Sequence, residues 1–329
     1  MFSKNSISAI LILLAWTPLC SQAETVMFNG AGNQLSAHYL SPKTRSKPKG
    51  VIVFVHGDGA LPYDAEGYYR PIWDHLRRLG YAIFSWDKPG VGRSTGNWLE
   101  QSMLDRQNEV HAAIDHLQQF YGYQGKPIGL IGFSQAGWVV PAVASSNPNV
   151  SFVIGIGFAI DWVSQGEYLT RTRLDQQQAS KEEVGQKLLA YQREVELIAG
   201  EGSYQSYLKE IEPAKKVMSG KRFEFIRKNI RSNALSDYEG INQPVLILLG
   251  EHDLNVDGKD TALQLTELFS ERSNLTLRII ADANHGLLKR SHFNEQDPGV
   301  WYWLKMMWME EGAFASDFLP TLSEWLENL

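Results

Sequence analysis

The chain has 329 residues, 43% of them apolar and 21% charged, with 28 glycines, 13 prolines and one cysteine. That composition is globular and excludes collagenous, mucin-like and disordered polymers, and the length suits one large α/β domain with an insertion, or two modest domains. The formal net charge of −6 comes from interspersed acidic and basic residues, without the basic stripe of a nucleic-acid binder.

Residues 1–23 read as a cleavable secretory signal. Lys4 gives a positive start, 7–16 is apolar but too short to cross a bilayer, and Ser21-Gln22-Ala23 is a small-residue cleavage site before Glu24. The expectation is a secreted or periplasmic protein cut after Ala23. Cleavage would remove Cys20, the single cysteine, and with it any disulfide, thiolate metal site or cysteine nucleophile.

Beyond the signal, 25–29 and 34–40 flank the turn Gly30-Ala31-Gly32-Asn33 as a hairpin. Residues 43–49 form a basic, proline-containing connection. The run 51–55 is continuously apolar and β-branched, which predicts a strand covered on both faces, as in a parallel sheet. A helix over 68–79 stops at Gly80, a strand covers 81–86, and a glycine-rich turn fills 87–94. Residues 104–120 are helical with Val110, Ile114 and Leu117 on one face. Strand 127–133, helix 135–145 and strand 152–160 follow. The alternation then breaks, because 161–243 contains no strand-like run. Ser180-Lys181-Glu182-Glu183 opens a helix to about 198 with a capping box, and 223–230 is helical. Strand 245–249, helix 259–269, strand 275–280 and helix 319–326 complete the chain. This order predicts an α/β fold with a mostly parallel central sheet and helices on both faces. Residues 24–160 and 244–329 would form its core, and 161–243 a helical cap inserted over one end.

The sharpest chemical signal is Gly132-Phe133-Ser134-Gln135-Ala136-Gly137 at the junction of a predicted strand and helix. A serine on such a tight turn sits in strained backbone, with Gly132 and Ala136 leaving room, and its Oγ is exposed beside free N–H groups. A serine hydroxyl needs a base, and the base an orienting acid. Asp253 follows the 245–249 strand and His285 follows the last strand, so Ser134, Asp253 and His285 each fall at the C-terminal end of a predicted strand, where open α/β sheets build their sites. Asp257 and Asp161 remain alternative acids, and His252 and His292 alternative bases. His75, His111 and His116 fall in helical patterns. The oxyanion donors would be the N–H groups of Gln135 and of Asp58, in His56-Gly57-Asp58-Gly59 after the 51–55 strand. A carboxylate there would repel a developing anion, so the Asp58 side chain must turn away or meet a cation. Residues 87–94 carry Lys88 and Arg93, yet a turn with special dihedrals at Gly90 and Gly92 explains them without a ligand. No phosphate-binding loop, dinucleotide fingerprint or metal-binding spacing occurs, so no cofactor and no metal are expected. Trp301, Trp303, Met306, Met307 and Trp308 form an apolar cluster expected to pack in the core or against the cap, with an acyl-binding wall or partner surface as the other option.

These residues resemble the α/β-hydrolase superfamily. The resemblance runs through His56-Gly57, the phrase at 87–96 (Asp-Lys-Pro-Gly-Val-Gly-Arg-Ser-Thr-Gly), 132–137, Gly250-Glu251-His252-Asp253 and Asn284-His285-Gly286. Within it, the chain resembles bacterial serine hydrolases related to dienelactone hydrolases, acyl thioesterases and prolyl-oligopeptidase-like esterases. Ala136 replaces the usual second glycine of the nucleophile motif. The resemblance implies the α/β-hydrolase fold and a Ser134–His285–Asp253 triad. The expected activity is hydrolysis of small carboxylic esters by a serine hydrolase through an acyl-enzyme. A peptidase or amidase, a thioesterase and a catalytically silent binding protein are the alternatives. No nucleic-acid partner is expected, and the mature chain should not insert stably into a membrane.

Overall fold

A computed structural model describes residues 24–44, 46–200, 202–210, 217–294 and 299–329; the signal segment 1–23 lies outside them. The chain enters through an antiparallel hairpin, β1 (Glu24–Gly30) and β2 (Asn33–Leu40), which turns at Ala31 and Gly32. β3 (Gly50–Val55), β4 (Tyr81–Trp86), β5 (Ile128–Phe133), β6 (Val150–Ile156), β7 (Val245–Gly250) and β8 (Leu275–Ile280) are mutually parallel. Together they make one sheet in the order β1-β2-β4-β3-β5-β6-β7-β8. The chain leaves β3 for β4 on one side and later places β5 on the other. That reversal opens a crevice above the C-terminal ends of β3 and β5, where such sheets bind their ligands.

The helices are α1 (Tyr69–Arg78), α2 (Met103–Tyr121), α3 (Val140–Ser146), α4 (Trp162–Gln176), α5 (Lys181–Ala199), α6 (Tyr204–Glu210), α7 (Gly220–Asn229), α8 (Leu235–Glu239), α9 (Gly258–Leu268), α10 (Val300–Met309) and α11 (Phe318–Glu327). Every residue of β3, β4, β5 and β7 is buried, which is why their apolar runs are continuous rather than alternating. The strand pleat still sorts them. Val51, Val53 and Val55 join the core covered by α2, α3 and α9, whereas Ile52 and Phe54 join the core covered by α1 and α11.

Two expected boundaries move. The strand expected over 152–160 ends at Ile156, because Gly157 turns the chain at a φ of 61°. The helix expected over 135–145 is a tight turn of 3₁₀ helix, Ser134–Trp138, followed by α3 with Pro141 in its first turn. Between β6 and β7 the chain is helical, from α4 to α8. Ile198, Tyr207, Phe223 and Ile230 give this segment a small core of its own. It leaves and re-enters at one place, where Asp161 and Asn233 form an antiparallel bridge. Ala234, Tyr238 and Ile241, just beyond, pack into the main core. Among the described residues no helix is long and apolar enough to cross a membrane.

Space around the end of β5 is tight. A Cβ on Gly132 would lie 2.7 Å from Phe158 Cζ, 2.8 Å from Val140 Cγ2 and 2.9 Å from Ala136 Cβ, all of them fully buried side chains. Gly132→Ala should therefore destabilise the fold by about 1–3 kcal/mol through overpacking. Circular dichroism during heating checks this; an unchanged thermal midpoint would mean that the turn can open to admit a methyl group.

Candidate active site

The site begins with a backbone constraint. Ser134 leaves β5 at a φ of 51°, a left-handed conformation that costs a non-glycine residue roughly 1–3 kcal/mol. Close packing holds it there. The Phe158 ring fills the space that Cβ atoms would need on Gly132, Gly137 and Gly155, so the Ser134 turn and β6 share one aromatic wedge. Ser134 stands at the start of the 3₁₀ turn, where the following N–H groups have no partner within the helix.

The structure brings Asp253 and His285 together. Asp253 is 4% exposed, and its Oδ1 accepts the N–H groups of Asn255 (2.7 Å) and Val256 (2.9 Å). Its Oδ2 lies 2.7 Å from His285 Nδ1. The Tyr168 hydroxyl, from α4, donates to the Asp253 backbone carbonyl at 2.8 Å. Asn284 shapes the histidine loop, its Oδ1 accepting the N–H groups of Gly286 and Leu288 at 3.0 Å. Burial alone would lower the His285 pKa, but the charge of Asp253 and its hydrogen bond outweigh burial and raise it above the ordinary 6.5. The rivals are occupied elsewhere. Asp257 caps α9 and Asp161 caps α4; His252 lies beside Glu251, and His292 is exposed.

Asp58 meets a cation. Its carboxylate takes two hydrogen bonds from Arg222 of α7, 2.9 Å to Oδ1 and 2.6 Å to Oδ2, and a third from Gln135 Nε2 at 3.2 Å. Burial would raise the Asp58 pKa, but the hydrogen bonds and charge of Arg222, with Lys88 behind, hold it below its ordinary value. The guanidinium also lies over the Phe225 ring at 5.0 Å. Beneath the same loop are two buried cations. Lys88 Nζ donates to the Gly57 carbonyl at 3.0 Å. Arg106 donates to the His56 carbonyl and, at 2.7 Å, to Gln135 Oε1. His56 itself is structural. Its Nε2 donates to the Trp86 carbonyl at 2.5 Å and its Nδ1 faces the Tyr69 hydroxyl at 3.2 Å, while burial pushes its pKa down to about 3. Glu109, buried near Arg106 and bonded by Gln101 Nε2 at 2.6 Å, is raised by burial to about 7.

Ser134, Gln135 and Asp58 line one cavity of about 390 Å³, walled by Trp138 and Trp162 and closed by residues of α4, α5 and α7. A second cavity of about 220 Å³ borders His285, with Tyr68, Tyr302 and Trp303 in its wall. Part of the aromatic cluster expected in the core is instead in solvent. Trp301 is 82% and Trp308 84% exposed, and only Met306 of α10 is buried. A helix apolar on all sides suggests burial from sequence, but α10 lies on the surface with one flank on the domain. Among the described residues no group of three or more metal-ligating side chains comes together.

Three residues beside the expected site went unread: Lys88, Arg106 and Arg222. The sequence reads Lys88 as part of a plain turn. That holds for Gly90 and Gly92, which do have positive φ, but not for the ammonium. Arg106 carried a signal, since it falls four residues before Val110 on the buried face of α2. Arg222 carried none, because its partner lies 164 positions away.

Residues 52–299 match the profile of the alpha/beta hydrolase family. A monoglyceride lipase homolog of Monkeypox virus is 30% identical over 126 residues, which is 38% of this chain and 42% of that one. The mitochondrial palmitoyl-protein thioesterase ABHD10 of Homo sapiens is 29% identical over 147 residues, 44% of each chain. The chain thus aligns with less than half the length of these relatives. Among solved structures, the Pyrococcus furiosus esterase Pf2001 superposes with a TM-score of 0.60 at 16% identity, covering 99% of both chains. Est1E of Butyrivibrio proteoclasticus, solved with ferulic acid, gives 0.54 at 16% identity, covering 79% of this chain and 91% of that one. Both share the fold.

The carboxylate beside His285 can be tested without any substrate. The imidazole should titrate by NMR with a midpoint above 6.5 in the wild type. In Asp253→Asn the raising charge is gone and burial remains, so the midpoint should drop below 6.5. Equal midpoints would break the link between the two side chains.

Proposed function

Because the chain belongs to the alpha/beta hydrolase family, we propose that it is a serine hydrolase that cleaves carboxylic esters through Ser134, His285 and Asp253. The observation that carries the reading is the 2.7 Å contact between His285 Nδ1 and the buried Asp253 carboxylate. It fixes Nδ1 as the protonated nitrogen and leaves Nε2 as the base. Ser134, half-buried on its strained turn and lining the cavity, supplies the nucleophile.

In this mechanism Ser134 Oγ attacks the ester carbonyl while His285 Nε2 takes its proton. The negative charge that develops on the carbonyl oxygen is stabilised by the N–H groups of Gln135 and Asp58. Collapse expels the alcohol, protonated by the imidazolium, and leaves an acyl group on Ser134. Water, giving its proton to His285, attacks the acyl carbonyl; collapse returns that proton to Ser134 Oγ and frees the acid. Asp253 holds the ring and stabilises its charged form.

The segment 161–243 acts in this reading as a cap that shapes the pocket. The walls of the 390 Å³ cavity, among them Leu169, Ile198, Ile226 and Ile230, suit an apolar acyl or alcohol group. A thioester is the second reading, supported by the alignment with a palmitoyl-protein thioesterase; the same acyl-enzyme would serve both. Residues 1–23 act as the signal that directs the chain to the periplasm or outside the cell.

Hydrolysis of a chain-length series of p-nitrophenyl esters and matched acyl thioesters, by wild type and Ser134→Ala, tests the proposal. The variant should lose about 10⁴-fold or more in turnover; equal turnover would remove Ser134 as nucleophile. The base works only when neutral, and its pKa is raised. Wild-type kcat/KM should therefore be full at alkaline pH and fall as pH drops through a midpoint above 6.5. An acid limb below 6.5 would point to another base.

A further inference from the structure

Lys88 is 3% exposed, a poor place for an ammonium unless something binds it. Its surroundings are built. Asp87 Oδ1 accepts the Tyr63 N–H at 2.8 Å, and the Lys88 N–H donates to the Leu61 carbonyl at 3.1 Å, so the turn after β4 is laced to the loop after β3. The Trp98 ring lies 5.0 Å from Nζ. Lys88 Nζ donates a hydrogen bond to the Gly57 carbonyl at 3.0 Å.

That carbonyl and the Asp58 N–H are two ends of a single peptide unit. The chain contains no cis peptide among the described residues, so the two groups point in opposite directions. With the oxygen held down by Lys88, the N–H must point away from it. Gly57 lies against the nucleophile, since a Cβ on it would be 3.4 Å from Ser134 Cβ, and Asp58 lines the cavity with Ser134 and Gln135. Arg106 fixes the preceding peptide independently, through the His56 carbonyl.

We propose that Lys88 is a positioning residue for the oxyanion site: its ammonium locks the Gly57–Asp58 peptide so that the Asp58 N–H faces the cavity lined by Ser134. The inference rests on the ester-hydrolase reading of that site. Lys88 touches no substrate atom. It acts through the orientation of one donor. Loss of an oxyanion donor costs roughly 10²–10³-fold in kcat, and loss of its support should cost less.

The test compares wild type, Ser134→Ala, Lys88→Met and Lys88→Gln on the best p-nitrophenyl ester. It adds inhibition by an alkyl trifluoromethyl ketone, which forms a tetrahedral adduct. Lys88→Met should lose about 10- to 100-fold in kcat with KM within about threefold of wild type, and the ketone should weaken by the same factor as kcat/KM. Lys88→Gln, which retains a donor, should fall between the two; if the Met variant does not fold, Gln against wild type carries the comparison. A role in stability alone would lower the melting temperature without selectively weakening the tetrahedral adduct. Unchanged kcat and ketone affinity, or a loss confined to KM, in a folded variant would overturn the role of Lys88 while Ser134→Ala remains inactive. Equal turnover by wild type and Ser134→Ala would instead overturn the underlying reading, and the role of Lys88 with it.

Discussion

The left-handed turn at Ser134 is the constraint on which the rest of this molecule depends. A serine does not hold a φ of 51° by preference, so the surroundings must over-determine it. They do so with glycine and one phenylalanine. Phe158 occupies the space beside Gly132, Gly137 and Gly155, and its own position is set where the chain turns off β6 at Gly157. A Cβ on Gly157 would come within 2.9 Å of His285 Cε1. The Ser134 turn, the neighbouring strand and the His285 loop therefore limit one another through direct contact. Strain stored in one residue is balanced by packing across three elements.

Charge is arranged around that turn with the same economy. The Asp58 carboxylate beside the Ser134 turn is paired by Arg222 from α7. The pair is a bidentate fork, a geometry a lysine could not reproduce. It also joins the inserted helices to the loop after β3. Below, Lys88 and Arg106 bind the carbonyl groups of Gly57 and His56 rather than carboxylates in ion-pair contact. Their buried charge is thereby directed at backbone orientation.

Much of this was legible in the sequence, and the reasons are physical. Strands buried on both faces leave continuous apolar runs, so β3, β4, β5 and β7 were readable within a residue or two. Small residues around Ser134 mark a turn that larger ones could not make. The chain order of Ser134, Asp253 and His285 follows from strand ends, which a sequence displays. What stayed hidden depends on distance or on half-burial. Leu174 is the one residue of α4 that is buried, so the helix's apolar positions are too sparse to show a period. α10 is apolar on all sides, and sequence does not tell a helix in the core from one lying on the surface. The partnership of Asp58 with Arg222 could be anticipated as a need for some cation, but not as this one. Arg106 and Glu109 were within reach, since the periodicity of α2 places both on its buried face.

The bridge between Asp161 and Asn233 carries a consequence for how such a chain can diverge. Both ends of the inserted helices are pinned at one point on the rim of the sheet. The closure cost of the loop they bound grows only with the logarithm of its length, about 0.6 kcal/mol for each doubling. Helices between those two residues can be lengthened or shortened without moving a strand, provided Arg222 still reaches Asp58 and Tyr168 the Asp253 carbonyl. Variation in this stretch is thereby confined to the parts that hold neither contact.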